Sequence, residues 1–277
     1  MLSSGVPFFT VALGAYPIAL LLFLFSMLLH WPQLELVGIG ALTVGIFVHG
    51  AGLVLRGLHA GTVTITNTYE ALIFYSWVIV AAFLTIAVPL RKHREVRALI
   101  GLLSSALAFP MIALAASPLF SQELRPIAPI LRSHWLALHV SCAILGEGFF
   151  AVAFVSSILL LWFDQKRRTG QEPRVSLDLL DNLSYKAIAI GFPIFTLGGL
   201  FFGAVWAQHA WGRYWGWDPK ETFTLVTWLV YVVYLHLRVG FGWRGRRLAW
   251  VAVAGFLLAL FTFAGVNYLI RGLHSYK

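Results

Sequence analysis

Residues 135–163 form a long, nearly uncharged stretch that reads WLALHVSCAILGEGFFAVAFVSSILLLWF. Glu147 is the one Asp, Glu, Lys or Arg residue in it. The hydrocarbon core of a bilayer is about 30 Å thick, and a helix needs about 20 apolar residues to cross it. This stretch exceeds that length, so we expect a helix that crosses the bilayer and either tilts or projects beyond it.

The same criterion, applied along the chain, finds eight candidate spans. They lie near Phe8–Leu29, Leu36–Leu55, Tyr69–Leu90, Ala98–Ala116, Trp135–Phe163, Lys186–Trp206, Thr222–Leu237 and Leu248–Ile270. The composition agrees, because 60% of the 277 residues are hydrophobic and only 11% are charged, whereas about a quarter of a soluble domain is charged. We therefore predict an all-α polytopic membrane protein, with residues 1–277 forming a single membrane domain and no separate soluble domain.

The basic residues indicate membrane orientation rather than nucleic-acid binding. The formal net charge is +9, but Lys and Arg fall in short clusters between apolar runs, the pattern that sets membrane topology. Thirteen of the 20 lie in one alternating set of loops and seven in the other. The positive-inside rule assigns the richer set to the cytoplasm. We therefore predict that both termini and the loop between the sixth and seventh spans face outward.

This predicted outer loop, residues 206–221, has the most unusual composition in the chain and reads WAQHAWGRYWGWDPKE. Its four tryptophans are Trp206, Trp211, Trp215 and Trp217. Aromatic belts at membrane interfaces explain isolated tryptophans, but they explain a dense cluster with interspersed glycines less well. Flat indole rings can stack on a flat ligand such as a porphyrin, and the cations Arg213 and Lys220 could meet its carboxylates.

The end of the same loop is typical of a helix start. Asp218 is suited to the N-cap, Pro219 to the first helical position, and Glu221 to the return contact of a capping box. Capping is the structural interpretation of Asp218, and it is compatible with a second role in fixing the geometry of the loop.

Three histidines are the main candidates for ligands. His139 lies in the first turns of the fifth span and His274 just beyond the eighth, so both are predicted at the outer surface with the tryptophan loop. His236 lies near the cytoplasmic end of the seventh span, where an ionisable residue is a functional candidate. A lone histidine is more often a packed residue than a ligand, but neutral imidazole is a common axial ligand of haem iron. His209, inside the loop, is a further possible ligand.

Four separated segments resemble the CcsA family, the WWD-domain proteins of System II cytochrome c biogenesis, which include ResC and the fused CcsBA proteins. The segments are NTYEALIF at 67–74, SHWLALHV at 133–140, the loop and following helix at 206–238, and GVNYLIRGLHSY at 265–276. The resemblance spans nearly the whole chain. Two departures stand out: Gln208-His209 replaces the usual Asn-Glu, and Phe223 stands where the family commonly has Trp.

The resemblance implies that haem b moves outward and is presented at the WWD loop, where it is attached to the Cys-x-x-Cys-His segment of apocytochrome c. It implies that His139 and His274 are axial ligands at the loop and that His236 is a ligand within the membrane. It also implies a ResB- or CcsB-like membrane partner, and a bacterial inner membrane with the site facing the periplasm. The chain would then be a component of a System II cytochrome c synthase, or haem lyase, with no catalytic side chain of its own.

Two alternatives differ in what happens to the haem. A CcmC-like protein would deliver it to a chaperone, and a HemX-like protein would be a non-enzymatic assembly or regulatory protein. Eight spans and the sequence Trp-Asp-Pro-Lys-Glu favour CcsA, since CcmC-like proteins have fewer spans. Dithiol redox chemistry within the chain is excluded, because Cys142 is the only cysteine.

Overall fold

A computed structural model describes residues 5–124, 126–270 and 272 of the chain. All regular structure in these residues is helical. Eight helical stretches are long and apolar enough to cross a membrane, which confirms the predicted all-α polytopic fold and the number of spans. The predicted ligand His274 lies outside the described residues. The outward orientation of the termini stays a prediction.

Ten α-helices, in chain order, make up these stretches. They are α1 Val6–Leu28, α2 Pro32–Ala60, α3 Thr68–Ala87, α4 Arg94–Ala115, α5 His134–Arg168, α6 Leu177–Phe195, α7 Gly203–Trp211, α8 Pro219–Gly240, α9 Arg246–Leu260 and α10 Val266–Leu269. A π-helical stretch, Thr196–Phe202, joins α6 to α7, and a second, Phe261–Gly265, joins α9 to α10. Each joined pair forms one continuous span. Two short 3-10 helices, Pro89–Lys92 and Pro129–Leu131, lie in connecting segments.

The sixth span differs most from its predicted bounds. It runs from Leu177 to Trp211 instead of from Lys186 to Trp206. At its start the Ser176 side chain caps the helix by accepting a hydrogen bond from the Leu179 amide at 3.3 Å. The first turns after this cap are too polar for a hydropathy criterion to include. At its end α7 continues to Trp211. Part of the predicted 206–221 loop is therefore helical, and its irregular part is residues 212–218.

The chain divides into two compact units, Met1–Arg132 and Ser133–Lys277, and both contain membrane-spanning helices. In the first unit α1 packs against α2 and α4, and α3 packs against α4. Phe23 and Phe83 meet edge to face, with ring centroids 5.9 Å apart. Gly101 permits this packing, because a Cβ at that position would lie 2.7 Å from the Phe23 ring. The single-domain organisation predicted from the sequence stays a prediction.

Buried ion pairs near opposite ends of α2 connect this helix to α3 and α4. The Arg56 guanidinium donates to the Glu70 carboxylate at 3.1 Å, and the two side chains are only 1% and 4% exposed. The Glu70 carboxylate also accepts hydrogen bonds from the amide and hydroxyl of Thr66. At the other end Glu35 accepts a hydrogen bond from Arg97 at 2.6 Å. Charges in an apolar environment need such partners, so these pairs hold the helices in register.

The second unit, which contains the tryptophan loop, is organised around α5. This helix packs against α6 and α9, and α8 packs against α9. The backbones of α5 and α6 touch, since a Cβ at Gly191 would lie 2.7 Å from the Gly146 carbonyl oxygen. Small residues commonly permit such close helix packing in membranes. The close approach positions the first turns of α5, which carry His139, beside the π-helical stretch.

Candidate functional site

His139 lies on α5, half-buried, with its ring fixed by a backbone carbonyl. Its Nδ1 is 2.8 Å from the Gly198 carbonyl oxygen. Because a carbonyl can only accept, Nδ1 must carry the proton, and in the neutral imidazole Nε2 then holds the lone pair. Metal-binding histidines are usually oriented in this way, by donating the other ring N–H to a carbonyl or carboxylate. The tautomer of His139 is therefore suited to binding a metal through Nε2.

Two glycines allow this arrangement: Gly203 leaves room for the His139 ring, and Gly198 lets the backbone of α5 approach the π-helical stretch. A Cβ at Gly203 would lie 2.9 Å from His139 Nδ1, and a Cβ at Gly198 would lie 2.2 Å from the Ala143 amide nitrogen. Gly198 belongs to the π-helical stretch and Gly203 follows it directly. Single π turns inside α-helices are often found at functional sites. Neither glycine was predicted from the sequence to position a site residue, although glycines within an apolar span are a visible signal.

Two tryptophan–histidine pairs connect α5 with α7. The rings of His139 and Trp206 are nearly parallel, at 8°, with centroids 6.2 Å apart. One turn closer to the loop, the rings of Trp135 and His209 are also 6.2 Å apart. His209 Nδ1 donates to the Val205 carbonyl at 2.8 Å, so this exposed ring has the same tautomer as His139. The structure thus brings His139 and His209 to the same pair of helices.

We call these two ring pairs between α5 and α7 the aromatic wall. The other tryptophans extend from the aromatic wall into the turn 212–218. Trp206 is buried and meets Trp211 edge to face at 4.8 Å. Trp215 and Trp217 are perpendicular, with centroids 5.8 Å apart. Trp217 has a left-handed backbone, φ 56°, and its side chain is 69% exposed. A bulky residue in this conformation costs about 1–3 kcal/mol, and such strain is commonly found at functional sites.

Asp218 begins α8 with the predicted capping box. Its carboxylate accepts a hydrogen bond from the Lys220 amide at 3.1 Å, and the Glu221 carboxylate accepts one from the Asp218 amide at 3.1 Å. Glu221 also accepts from the Gly216 amide at 2.8 Å, which ties the turn to the helix. Arg213 lies over Gly216, where a Cβ would come within 2.7 Å of the Arg213 Nε. Asp218 therefore caps α8, as its sequence position predicted.

Lys220 is engaged inside the protein. Its ammonium donates to the Asn267 side-chain oxygen at 2.9 Å and interacts electrostatically with Glu147 and Asp218. A ligand carboxylate would have to compete with these contacts. Gly272, just after the last span, lies in the same region. A Cβ at this position would be 2.6 Å from the Asp218 carboxylate.

His236 is separated from this group along α8, 18 residues after the N-cap at Asp218. Its side chain is exposed and meets Phe241 edge to face at 5.3 Å. Val233 and Leu229 are exposed on the same face of α8, one and two turns before His236 respectively. His236 is thus available to a ligand or partner that reaches α8 from outside this chain.

The chain matches a protein-family model described as Cytochrome C assembly protein over residues 65–274. It is 34% identical to the cytochrome c biogenesis protein CcsA of Gloeothece citriformis, over 93% of this chain and 94% of that protein. It is 39% identical to CcsA of Chlamydomonas reinhardtii, over 81% of this chain and 64% of that protein. The chain belongs to the CcsA family. This membership confirms the prediction of a cytochrome c biogenesis protein, and the CcmC-like and HemX-like alternatives are not favoured.

A solved structure also shares the fold of this CcsA-family chain. The cytochrome c haem lyase CcmF superimposes with a TM-score of 0.67 at 16% identity, over 97% of this chain and 47% of the other. The chain thus spans about half the length of CcmF. At this identity the likeness establishes the fold alone.

The described residues contain no group of three or more His, Cys, Asp or Glu side chains that could hold a bare metal ion. The oriented imidazole of His139 is suited to act as one ligand of a metal whose remaining ligands come with the molecule that carries it. In haem the porphyrin supplies four ligands and the protein supplies only axial ones.

Replacing Gly203 by alanine is expected to lower haem retention about tenfold, because the new methyl group would force the His139 ring away from the Gly198 carbonyl. The haem-to-protein ratio, measured by absorbance of the protein purified after haem-replete expression, provides the test. Gly40→Ala is the matched control, since Gly40 is helical and a Cβ there meets nothing within 4 Å. Equal haem content in both variants would contradict a positioning role for Gly203.

Proposed function

We propose that this chain takes up haem b within the membrane and presents it at the tryptophan loop for covalent attachment to the Cys-x-x-Cys-His segment of apocytochrome c. The observation that carries the proposal is the geometry of His139. Its proton is held by the Gly198 carbonyl, and its ring is parallel to Trp206 at the base of an aromatic wall. An oriented imidazole beside indole rings suits an axial ligand of a flat, iron-containing macrocycle.

His274 is proposed as the second axial ligand at the loop. It is the second residue after Gly272, and two residues of extended chain reach at most about 7 Å. Gly272 lies against the Asp218 carboxylate, at the base of the turn 212–218. This supports a tail histidine that approaches the loop from the side of α8, while His139 approaches it from α5.

The loop residues would position the haem rather than react with it. Trp206, Trp211, Trp215 and Trp217 offer ring faces and edges, and Asp218 fixes the turn that carries them. Arg213, exposed at the loop, is proposed to meet a propionate. The same role for Lys220 would require it to leave Asn267. His209, on the same wall as His139, is a possible substitute ligand.

The chemistry of attachment would come from the substrates. The two thiols of apocytochrome c add across the haem vinyl groups, forming C–S bonds, and its histidine replaces one axial imidazole. The chain contributes orientation of the reacting groups, which can greatly accelerate a reaction between bound partners. It would do so as a component of a cytochrome c synthase, without a catalytic side chain of its own.

His236 is proposed as the ligand of an earlier haem position within the membrane. Its exposure on α8, next to Leu229 and Val233, supports binding at an outer face of this unit. A ResB- or CcsB-like membrane partner is proposed to cover this face, to supply a second imidazole and to contribute an outer domain. The proposed location is the bacterial inner membrane, with the tryptophan loop on the periplasmic side, in accord with the distribution of basic residues.

The decisive experiment is to express the chain with its partner under haem-replete conditions, purify the complex and record its visible spectrum. A spectrum of low-spin haem with two histidine ligands is expected. A colourless complex that still supports cytochrome c maturation would overturn the proposal.

Replacing His236 by glycine is expected to reduce total haem in the complex more than tenfold, because haem would have to pass the inner position before it reached the loop. Added imidazole, which fits the space left by the side chain, is expected to restore most of it. The measurement is absorbance per mole of complex with and without imidazole. Val239→Ala, also exposed on α8, is the control, and loss of haem there would point to a general defect of the helix.

A further inference from the structure

We propose that an arginine-lined pocket at the end of the second unit opposite the tryptophan loop binds the phosphate group of an anionic phospholipid. The pocket has a volume of about 430 Å³ and lies where the end of α5, the start of α6 and the turn between α8 and α9 meet. Its basic lining residues are Arg167, Arg168, Arg244, Arg246 and Arg247. This inference goes beyond haem presentation and does not depend on it.

The pocket carries an excess of positive charge. Its acidic lining residues are Asp164, Asp178 and Asp181. Asp164 is already shared by Arg167 and Arg168, at 2.7 and 2.8 Å, and Asp181 is paired with Arg238, which lies outside the lining. Within the described part of the chain, no ion pair joins Arg244 or Arg247 to a carboxylate. Two exposed guanidinium groups are therefore available to an external anion.

The start of α9 adds to the attraction for an anion. Its first turn contains Arg246 and Arg247 and no acidic residue, and the N-cap Gly245 provides no side-chain cap. Cations at this end of a helix oppose the helix dipole, whereas an anion there is stabilised by the dipole and by the free amides. Arg246 lies 3.5 Å from Asp164, and the Gly245 amide donates to Asp181 at 2.8 Å. Arg247 has no such carboxylate in the described part of the chain, so an anion in the pocket would pair with Arg247 and Arg244.

The location of the pocket favours a lipid headgroup over a soluble anion. It lies at the ends of three stretches that are long and apolar enough to cross a membrane, and lipid headgroups are expected near such ends. Trp162 and Trp250 are exposed on α5 and α9 in the same region, and tryptophan favours the membrane interface. Basic pockets between the ends of transmembrane helices are suited to anionic lipids.

The pocket is not placed to hold the propionates of a haem bound at His236. His236 and Arg238 are two residues apart on α8, so their side chains leave the helix about 200° apart. Arg238 points toward the pocket side, where it contacts Asp181 and the Trp243 carbonyl. His236 therefore faces away from the arginines, and the two features are independent sites.

The test compares the full chain with a double variant, Arg244→Gln with Arg247→Gln, in detergent. Binding of phosphatidylglycerol, phosphatidylcholine and inorganic phosphate is measured by native mass spectrometry and by the shift of the unfolding temperature. We expect selective binding of phosphatidylglycerol, weakened about 30-fold in the variant by the loss of two phosphate contacts. The matched control is Lys166→Gln with Arg174→Gln, which removes the same charge from the same end outside the pocket, and we expect less than a threefold effect.

Three outcomes would overturn the proposal. Equal weakening in the two double variants would mean that only the general surface charge matters. Inorganic phosphate that binds as tightly as phosphatidylglycerol would identify a soluble anion as the ligand. Absence of selective binding to the unaltered chain would mean that the pocket takes no phosphate at all.

Discussion

Replacing His139 by alanine is expected to lower the haem bound at the outer site at least tenfold and to stop cytochrome c maturation. The change removes the half-buried imidazole that the Gly198 carbonyl orients beside Trp206. The proposed second ligand, His274, would then hold the iron alone. Haem content is measured by absorbance of the purified complex, and maturation by the covalently attached haem of a reporter cytochrome.

Two further variants make this result specific. His134→Ala removes an exposed imidazole from the first turn of the same helix and should leave haem content within twofold of the unaltered complex. His139→Gly should regain haem when imidazole is added, because the space left by the side chain admits the free ligand. An unchanged spectrum in His139→Ala would refute the assignment of this residue.

Replacing Glu70 by leucine is expected to lower the free energy of unfolding of the first unit by about 3–5 kcal/mol, because it leaves the Arg56 charge buried without its carboxylate. Arg56 is 1% exposed and also donates to the Gln122 carbonyl at 3.0 Å. Loss of Glu70 therefore also loosens the connection between the end of α2 and the segment after α4. The measurement is thermal or denaturant unfolding of the purified protein in detergent.

The double variant Arg56→Met with Glu70→Leu distinguishes charge burial from loss of packing. Removing both charges should recover most of the lost stability, because well-packed apolar residues often replace a buried pair at little cost. Arg94→Met is the control, since Arg94 is 46% exposed and Glu35 keeps its contact with Arg97. That change should cost less than about 1 kcal/mol. A double variant as unstable as Glu70→Leu would contradict the explanation.

Local signals in the sequence predicted most of the fold. The apolar stretches identified eight spans, because hydropathy over about 20 residues depends only on neighbours along the chain. The start of α8 was predicted for the same reason, since Asp218 and Glu221 cap a helix within one turn. The bounds of the sixth span were wrong where capped polar turns extend beyond the apolar run, at Leu177 and at Trp211.

The chemical identity of the candidate site also came from the sequence. The tryptophans of the loop and His139 were visible as residue types, and their pattern was specific enough to suggest the CcsA family. Family membership is now established by the match over residues 65–274. The roles of the individual residues stay predictions, and His274 lies outside the described part of the chain.

Only the tertiary structure decided how these residues are arranged. The proton on His139 is set by Gly198, 59 residues further along the chain, and the pairing of Trp135 with His209 depends on how α5 meets α7. The sequence likewise did not identify Arg56 as the partner of Glu70, because this ion pair depends on the packing of α2 against α3. The physical reason is range: hydropathy and capping act within a few turns, whereas ring orientation and ion pairing depend on contacts between distant helices.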